Sequence, residues 1–176
     1  MVSEKHLKLC QELGIPADYG RARGLPQYAE ATELVDIGPN LVGRMQRLTP
    51  GAAARWQQMV EAASHDGIRL LIVSGFRSIE YQAELIRNKL EGGQSIEDIL
   101  AVNAAPGFSE HHTGCCVDIA TPGSRPLTEE FEESAAFAWL GRNAAEFLFS
   151  MTYPRDNPYG IVYEPWHWAV DVGDDG

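Results

Sequence analysis

The sequence predicts one domain of the α+β class, with helices and short strands mixed along the chain. Three observations carry this reading. The chain has 176 residues, 44% of them hydrophobic, which is enough for one buried core and short for two. Three short apolar or alternating runs, around residues 69–74, 115–119 and 166–172, have the form of strands. Between them lie stretches whose apolar residues recur three or four apart, as on a helix with one buried face.

Taken in order, Ser3 is placed to cap a short helix with Leu7, Cys10 and Leu13 on one face, stopped by Gly14 and Pro16. Gly20 to Pro26 reads as loop. Thr49-Pro50 starts the next helix, because threonine can accept from a free N–H and proline has no donor to waste there. Its buried stripe is Trp56, Met59, Val60 and Ala63, and Gly67 ends it. Arg69 to Ser74 is a buried strand running into Gly75, and a loop just past a strand is a good place for chemistry. A helix from Ser78 to about Lys89 follows from Tyr81, Leu85 and Ile86, and Ser95-Ile96-Glu97-Asp98 has the form of a capping box. In the strand Cys115 to Ile119, alternation sets Cys116 and Asp118 on one face, read as open, and Cys115, Val117 and Ile119 on the other. Thr128 caps a helix to about Phe147 that turns Phe131, Ala135, Ala138 and Trp139 inward, and Trp166 to Val172 is the final strand.

Composition narrows the function classes. With 25 acidic and 14 basic residues the net charge is -11, and no basic run is present to neutralise a phosphate backbone, so nucleic acid is a poor partner. Apolar runs such as Leu70 to Val73 fall far short of the roughly 20 residues of a membrane span. As it stands the sequence begins without a basic, apolar and small-residue leader, so a cytoplasmic location is expected, or periplasm or cell wall if a leader has been trimmed. Three cysteines, Cys10 and the adjacent Cys115 and Cys116, fit a reducing compartment.

Chemistry-bearing residues gather in three blocks: Ser74-Gly75-Phe76-Arg77-Ser78, Ser109-Glu110-His111-His112-Thr113-Gly114-Cys115-Cys116-Val117-Asp118, and Glu164-Pro165-Trp166-His167. A catalytic zinc site uses three protein ligands of the imidazole and carboxylate kind and keeps a fourth position open, and two histidines with an aspartate supply such a set. If the three strands share a sheet, their ends bring Arg77, His111, Asp118, Glu164 and His167 into one cleft.

These blocks, with Tyr81-Gln82, Pro106-Gly107-Phe108 and Phe137-Ala138-Trp139-Leu140, resemble the zinc D-alanyl-D-alanine carboxypeptidases of the VanY kind, in the wider group of lysostaphin-type enzymes and the hedgehog domain. The resemblance runs from about residue 50 to 173, so residues 1–48 are expected to form an extension packed on a peptidase domain at 49–176. It implies a hedgehog/DD-peptidase-like fold with a small, mainly antiparallel sheet flanked by helices. By the same resemblance His111, Asp118 and His167 are the zinc ligands, and Glu164 is the general base that moves a proton from water to the leaving amine. Arg77 stabilises the oxyanion, and Ser78, Gln82 and Ser109 contact the terminal D-alanine. Without the family, Ser78 would read as a helix cap, Gln82 as an exposed helix residue and Ser109 as a turn residue.

This chain departs from the pattern in three places. Cys115 and Cys116 replace a larger apolar residue and an alanine, which raises a thiolate as a rival ligand, although both more readily act as small apolar residues. His112 is a rival to His111. Ala169-Val170 stands where relatives often carry Arg-Tyr. The resemblance implies hydrolysis of the bond before a C-terminal D-alanine in a peptidoglycan stem peptide, whether an L,D bond in a tetrapeptide or a D,D bond in a pentapeptide. Without an export signal, trimming of recycled muropeptides is the expected setting. A stem endopeptidase and a non-catalytic zinc module are the rivals, and the second has no need of Glu164 or Arg77.

Overall fold

Residues 4–173 are described in a computed structural model of the chain. Six α-helices and six strands occur in the order α1 (Glu4–Glu12), α2 (Tyr19–Arg23), β1 (Val35–Pro39), β2 (Met45–Leu48), α3 (Pro50–His65), β3 (Leu71–Ser74), α4 (Ile79–Glu91), α5 (Ile96–Val102), β4 (Cys116–Ala120), α6 (Ala135–Asn143), β5 (Phe149–Met151) and β6 (His167–Val170) among the described residues. Strands β3-β4-β6-β5 form an antiparallel sheet, and β1 and β2 form a separate hairpin. The expected α+β class with a small antiparallel sheet and flanking helices is what is found.

Two cores support this frame. Against the sheet, α3 and α6 bury Trp56, Met59, Ala63, Trp139 and Leu140 on Ile72, Val117, Ile119 and Trp168. The second core joins Leu13, Ile15, Tyr19 and Leu25 of the N-terminal segment to Ala83 and Ile86 of α4 and Ile99 and Leu100 of α5. Residues 13–25 thus complete the apolar side of the two helices that follow β3.

Helix starts follow the sequence signals closely. Thr49 Oγ1 accepts from Ala52 N, Ser78 Oγ from Tyr81 N and Ser95 Oγ from Asp98 N, each satisfying a donor left over in a first turn. Elsewhere the structure differs from expectation. Leu7 is 52% exposed, because α1 packs through Leu9 and Cys10 instead, while Ser3 lies outside the described residues. A short helix, α2, replaces the expected loop; Tyr19 anchors it edge-on against Phe108 and Gly24 closes it in the left-handed region. The long helix expected from Thr128 is broken into a 3-10 segment Glu129–Glu133, α6 and another 3-10 segment Ala144–Phe147, since Ser134 turns extended and caps α6 afresh by accepting from Phe137 N.

Two glycines hold the chain where side chains would not fit. A Cβ on Gly75 would come 2.6 Å from Arg47 O, so the turn after β3 can lie directly on the hairpin. Gly114 ends the 3-10 turn Glu110–Thr113 at φ 66°, and a Cβ there would also crowd Thr49 and Leu34 at 3.1–3.2 Å.

Candidate active site

The turn after β3 sets the site. Gly75 N donates to Gln46 Oε1, Phe76 N to Arg47 O and Arg77 N to His111 O, so the segment is tied to the hairpin on one side and to the 3-10 turn on the other. His111 in turn places Nδ1 2.6 Å from Gly75 O. A carbonyl only accepts, so Nδ1 carries the proton and Nε2 presents its lone pair. Nε2 is buried and makes no hydrogen bond, although Asp118 Oδ2 lies 3.2 Å away. Burial, with Arg77 nearby, pushes the His111 pKa down to about 4, so the ring is neutral.

Asp118 and His167 meet through strand register. They are paired residues of β4 and β6, and directly opposed residues on one face bring their side chains together. His167 Nδ1 lies 3.0 Å from Asp118 Oδ1, and its Nε2 lies 2.8 Å from Glu110 Oε2. Asp118 is 3% exposed, so the face expected to be open is closed by the two imidazoles and Arg77. Burial alone would raise the Asp118 pKa, but His111, His167 and Arg77 hold it well below the usual carboxylate range.

Glu164 sits in the turn before β6, where its N–H donates to Tyr153 O and its carbonyl accepts from His167 N. Its Oε2 is 3.9 Å from His167 Nδ1. Burial, reinforced by Asp118 and Glu110 and opposed by His167 and Arg77, pushes its pKa up to about 7. A carboxyl so placed exchanges a proton easily near neutrality.

Arg77 donates through Nη1 to Gln82 Oε1 and through Nη2 to Asp118 Oδ2, while its buried Nε has no partner. Gln82 is 1% exposed rather than an exposed helix residue, and with Nε2 donating to Ala104 O both ends of its amide are engaged. Ser78 caps α4 and is not among the side chains lining the cleft, whereas Ser109 lines it and its hydroxyl caps nothing. The remaining walls come from Val102, Asn103, Ala104, Tyr153 and Ile161.

The two rivals for the ligand role stand in different surroundings. His112 has Nδ1 2.7 Å from Arg77 O, and its Nε2 accepts from Gly107 N, so neither nitrogen is left for a metal. Cys116 is closer to the chemistry: donor atoms of His111, Cys116 and His167 lie within 4.8 Å of one another, the one such cluster among the described residues. Burial pushes the Cys116 thiol up to about 11, so sulfur enters only if a metal displaces that proton, whereas Asp118 is already ionised. Ligands at about 2.0–2.1 Å around a tetrahedral zinc stand roughly 3.3 Å apart. His111 Nε2 stands 3.2 Å from Asp118 Oδ2 and His167 Nδ1 3.0 Å from Asp118 Oδ1, so each imidazole faces its own oxygen of the carboxylate at close to that spacing, and the buried Nε2 lone pair of His111 has no hydrogen-bond partner.

Sequence reasoning passed over Glu110. Its carboxylate accepts from His167 Nε2 and from Thr152 Oγ1 at 2.7 Å, with Tyr28 OH at 3.4 Å on its other oxygen. Burial works against ionisation, yet the bonds from His167 and Thr152 outweigh it and lower the pKa. Its position beside His111 was visible, but its partner lies 57 residues away.

A family model described as VanY, D-alanyl-D-alanine carboxypeptidase, matches residues 45–173. YodJ of Bacillus subtilis is 33% identical over 153 residues, covering 81% of this chain and 55% of its own length. The chain therefore spans about half of that curated relative. Among solved structures, the LD-carboxypeptidase LdcB superposes with a TM-score of 0.72 at 30% identity, over 85% of this chain and 72% of its own. A variant of the vancomycin-resistance D,D-pentapeptidase VanY in complex with Zn(II) superposes at 0.61 with 28% identity, over 90% and 83%.

Proposed function

The chain belongs to the VanY family of D-alanyl-D-alanine carboxypeptidases, and on that premise we propose that it is a zinc-dependent carboxypeptidase of peptidoglycan peptides. The bond cut is the one before a C-terminal D-alanine, L,D in a tetrapeptide or D,D in a pentapeptide. One observation carries the reading: the lone pair of His111 Nε2, the Asp118 carboxylate and His167 Nδ1 converge in a cleft that also holds Glu164.

His111, Asp118 and His167 would hold the metal through two imidazoles and one carboxylate; burial works against charge on His167, but Cys116, Asp118 and Glu110 raise its pKa well above the usual imidazole range, so a metal bound there would displace the Nδ1 proton. Zinc bound there supplies Lewis acidity, lowering the pKa of water and polarising the scissile carbonyl. Glu164, poised by burial, accepts the proton of the attacking water and returns it to the leaving amine of D-alanine, a transfer typically worth about 10²–10⁴ in rate. Arg77, fixed by Gln82 and Asp118, keeps a positive charge beside the carbonyl as it gains negative charge. Ser109 lines the cleft with a hydroxyl free of any capping duty and is the polar contact for the terminal residue. Glu110 holds His167 in the tautomer that turns Nδ1 inward.

The test is mass spectrometry of muropeptide tetrapeptide and pentapeptide after incubation with the zinc-loaded protein, with Glu164→Ala in parallel. Loss of one alanine from the tetrapeptide assigns L,D activity, and loss from the pentapeptide assigns D,D activity. Turnover should vanish in Glu164→Ala while zinc is retained. No loss from either peptide sinks the reading.

A further inference from the structure

Part of the cleft wall is assembled from two stretches far apart in sequence. Val102, Asn103 and Ala104 come from the end of α5, and Ile161 comes from the loop that leads to Glu164. Among the described residues a single backbone hydrogen bond joins the two stretches, Val162 N to Ala101 O at 2.9 Å. One such bond contributes little net stability, so the two halves need a further tie to stay in register.

Arg23 of α2 supplies that tie from the N-terminal segment. Its Nη1 donates to Leu100 O at 2.7 Å and to Gly160 O at 3.1 Å, so the two protons of one nitrogen serve the two sides of the join. Leu100 O lies in the last turn of α5, where carbonyls lack partners within the helix and a cation is favoured. Gly160 has φ 66°, and a Cβ on it would stand 3.6 Å from the same Nη1, so the glycine lets the loop bring its carbonyl onto the guanidinium. The guanidinium also lies 4.8 Å from the centre of the buried Tyr19 ring, whose hydroxyl accepts from Ala105 N. Although the chain carries a net charge of -11, Arg23 forms no ion pair with a carboxylate among the described residues. Two carbonyls and a ring take that place, and both carbonyls belong to the join. Arg23 precedes residues 45–173, the stretch matched by the family model.

We propose that Arg23 is a positioning residue that clamps the two halves of this wall at a fixed separation and so sets how tightly the cleft grips a peptide. It touches no substrate and acts through residues 102–104 on one side and Ile161 on the other. Glu164 has anchors of its own, its N–H on Tyr153 O and its carbonyl on His167 N, so the reacting groups are not what the clamp holds. The inference rests on the carboxypeptidase reading and deepens it, because it makes the N-terminal segment part of the binding machinery. The alternative is that Arg23 only fastens α2 to the second core, and its loss then lowers stability alone.

Wild type, Arg23→Met and Arg23→Lys are compared as zinc-loaded full-length proteins. Hydrogen exchange followed by NMR reads the Val162 amide against the Ile119 amide, which donates to Trp166 O beside the sheet. Arg23→Met should speed exchange at Val162 about tenfold, as expected for losing a hydrogen bond reinforced by charge, and leave Ile119 unchanged. On whichever stem peptide the wild type cleaves, KM should rise about tenfold with kcat held within about twofold, since only about a tenth of the molecules keep the wall closed and bound peptide closes the rest. Arg23→Lys keeps the charge and its donors and should recover most of both losses. A merely structural role predicts the opposite split: fewer folded molecules lower kcat and leave KM alone. Unchanged exchange at Val162, equal acceleration at Ile119, or a KM that does not move overturns the clamp. Should Arg23→Met fail to fold, Gly160→Ala weakens the same join from the exposed loop and should give the same pattern, with the same outcomes counting against it. A wild-type protein that cleaves neither peptide counts against the carboxypeptidase reading, and exchange at Val162 then decides the clamp alone.

Discussion

Glu110→Gln is the substitution that most directly probes whether Glu110 orients His167 for the metal proposed above. In the wild-type protein Oε2 receives both His167 Nε2–H at 2.8 Å and Thr152 Oγ1–H at 2.7 Å. A glutamine with its carbonyl in that place keeps both bonds, and its amide nitrogen then faces Tyr28 OH, which can rotate to accept. What disappears is the charge. Hydrogen bonds to charged groups contribute about 1.5–3 kcal/mol and neutral ones about 0.5–1.5, so the difference is roughly 1–1.5 kcal/mol, or about tenfold in affinity. The Glu110 side chain is only 15% exposed, so solvent screens little of this. Glu110→Ala also strands His167 Nε2–H and Thr152 without an acceptor, and there the expected loss is nearer 100-fold, the upper end for removing the partner of a metal-bound histidine. Zinc affinity measured by competition with a chelating dye should fall in the order wild type, Gln, Ala. Equal affinity in all three proteins would refute the idea that Glu110 orients His167.

Three further outcomes are expected. The acid limb of kcat/KM should fall at or below about pH 7, because Glu164 must be ionised to act as base and a nearby metal ion can only lower its pKa from that value; a limb clearly above neutrality in a pH–rate profile would speak against Glu164. Cys116→Ala should leave zinc affinity within about threefold of wild type while Asp118→Ala abolishes tight binding, and the cobalt-substituted protein should lack a sulfur-to-metal charge-transfer band; a strong band lost in Cys116→Ala would transfer the ligand role to sulfur. Gly75→Ala should destabilise the fold by roughly 1–3 kcal/mol in urea unfolding, because the new methyl meets the backbone carbonyl of Arg47 rather than a side chain that can swing away; full stability would mean the hairpin yields.

How much of this was legible beforehand depended on whether the determinant was local. Thr49, Ser78 and Ser95 cap their helices because the bonds involved span three residues, and the sequence displays them side by side. The site blocks were equally plain, since Ser109 to Asp118 and Glu164 to His167 are each nearly contiguous. The hairpin β1–β2 went unseen because Val35-Asp36-Ile37-Gly38-Pro39 carries a glycine and a proline within five residues and shifts its register between Asp36 and Gly38. Ser134 was hidden inside what read as one long amphipathic run, although its extended backbone ends one helical segment and starts another. The closed environment of Asp118 was beyond any alternation rule, because what covers it arrives from β6, from the turn after β3 and from the 3-10 turn at His111.

The register pairing of Asp118 with His167 has a bearing on how such a site can diversify. Two of its groups are fixed by which residue of one strand faces which residue of the next, and a single insertion within β4 or β6 would turn one of them to the opposite side of the sheet. The wall formed by α5 and the segment at Asn103 lies outside that ladder, so substitutions and length changes there leave the ladder intact. A lineage, or an engineer, can therefore reshape that wall by editing one connection, while Asp118 and His167 keep their places in the sheet.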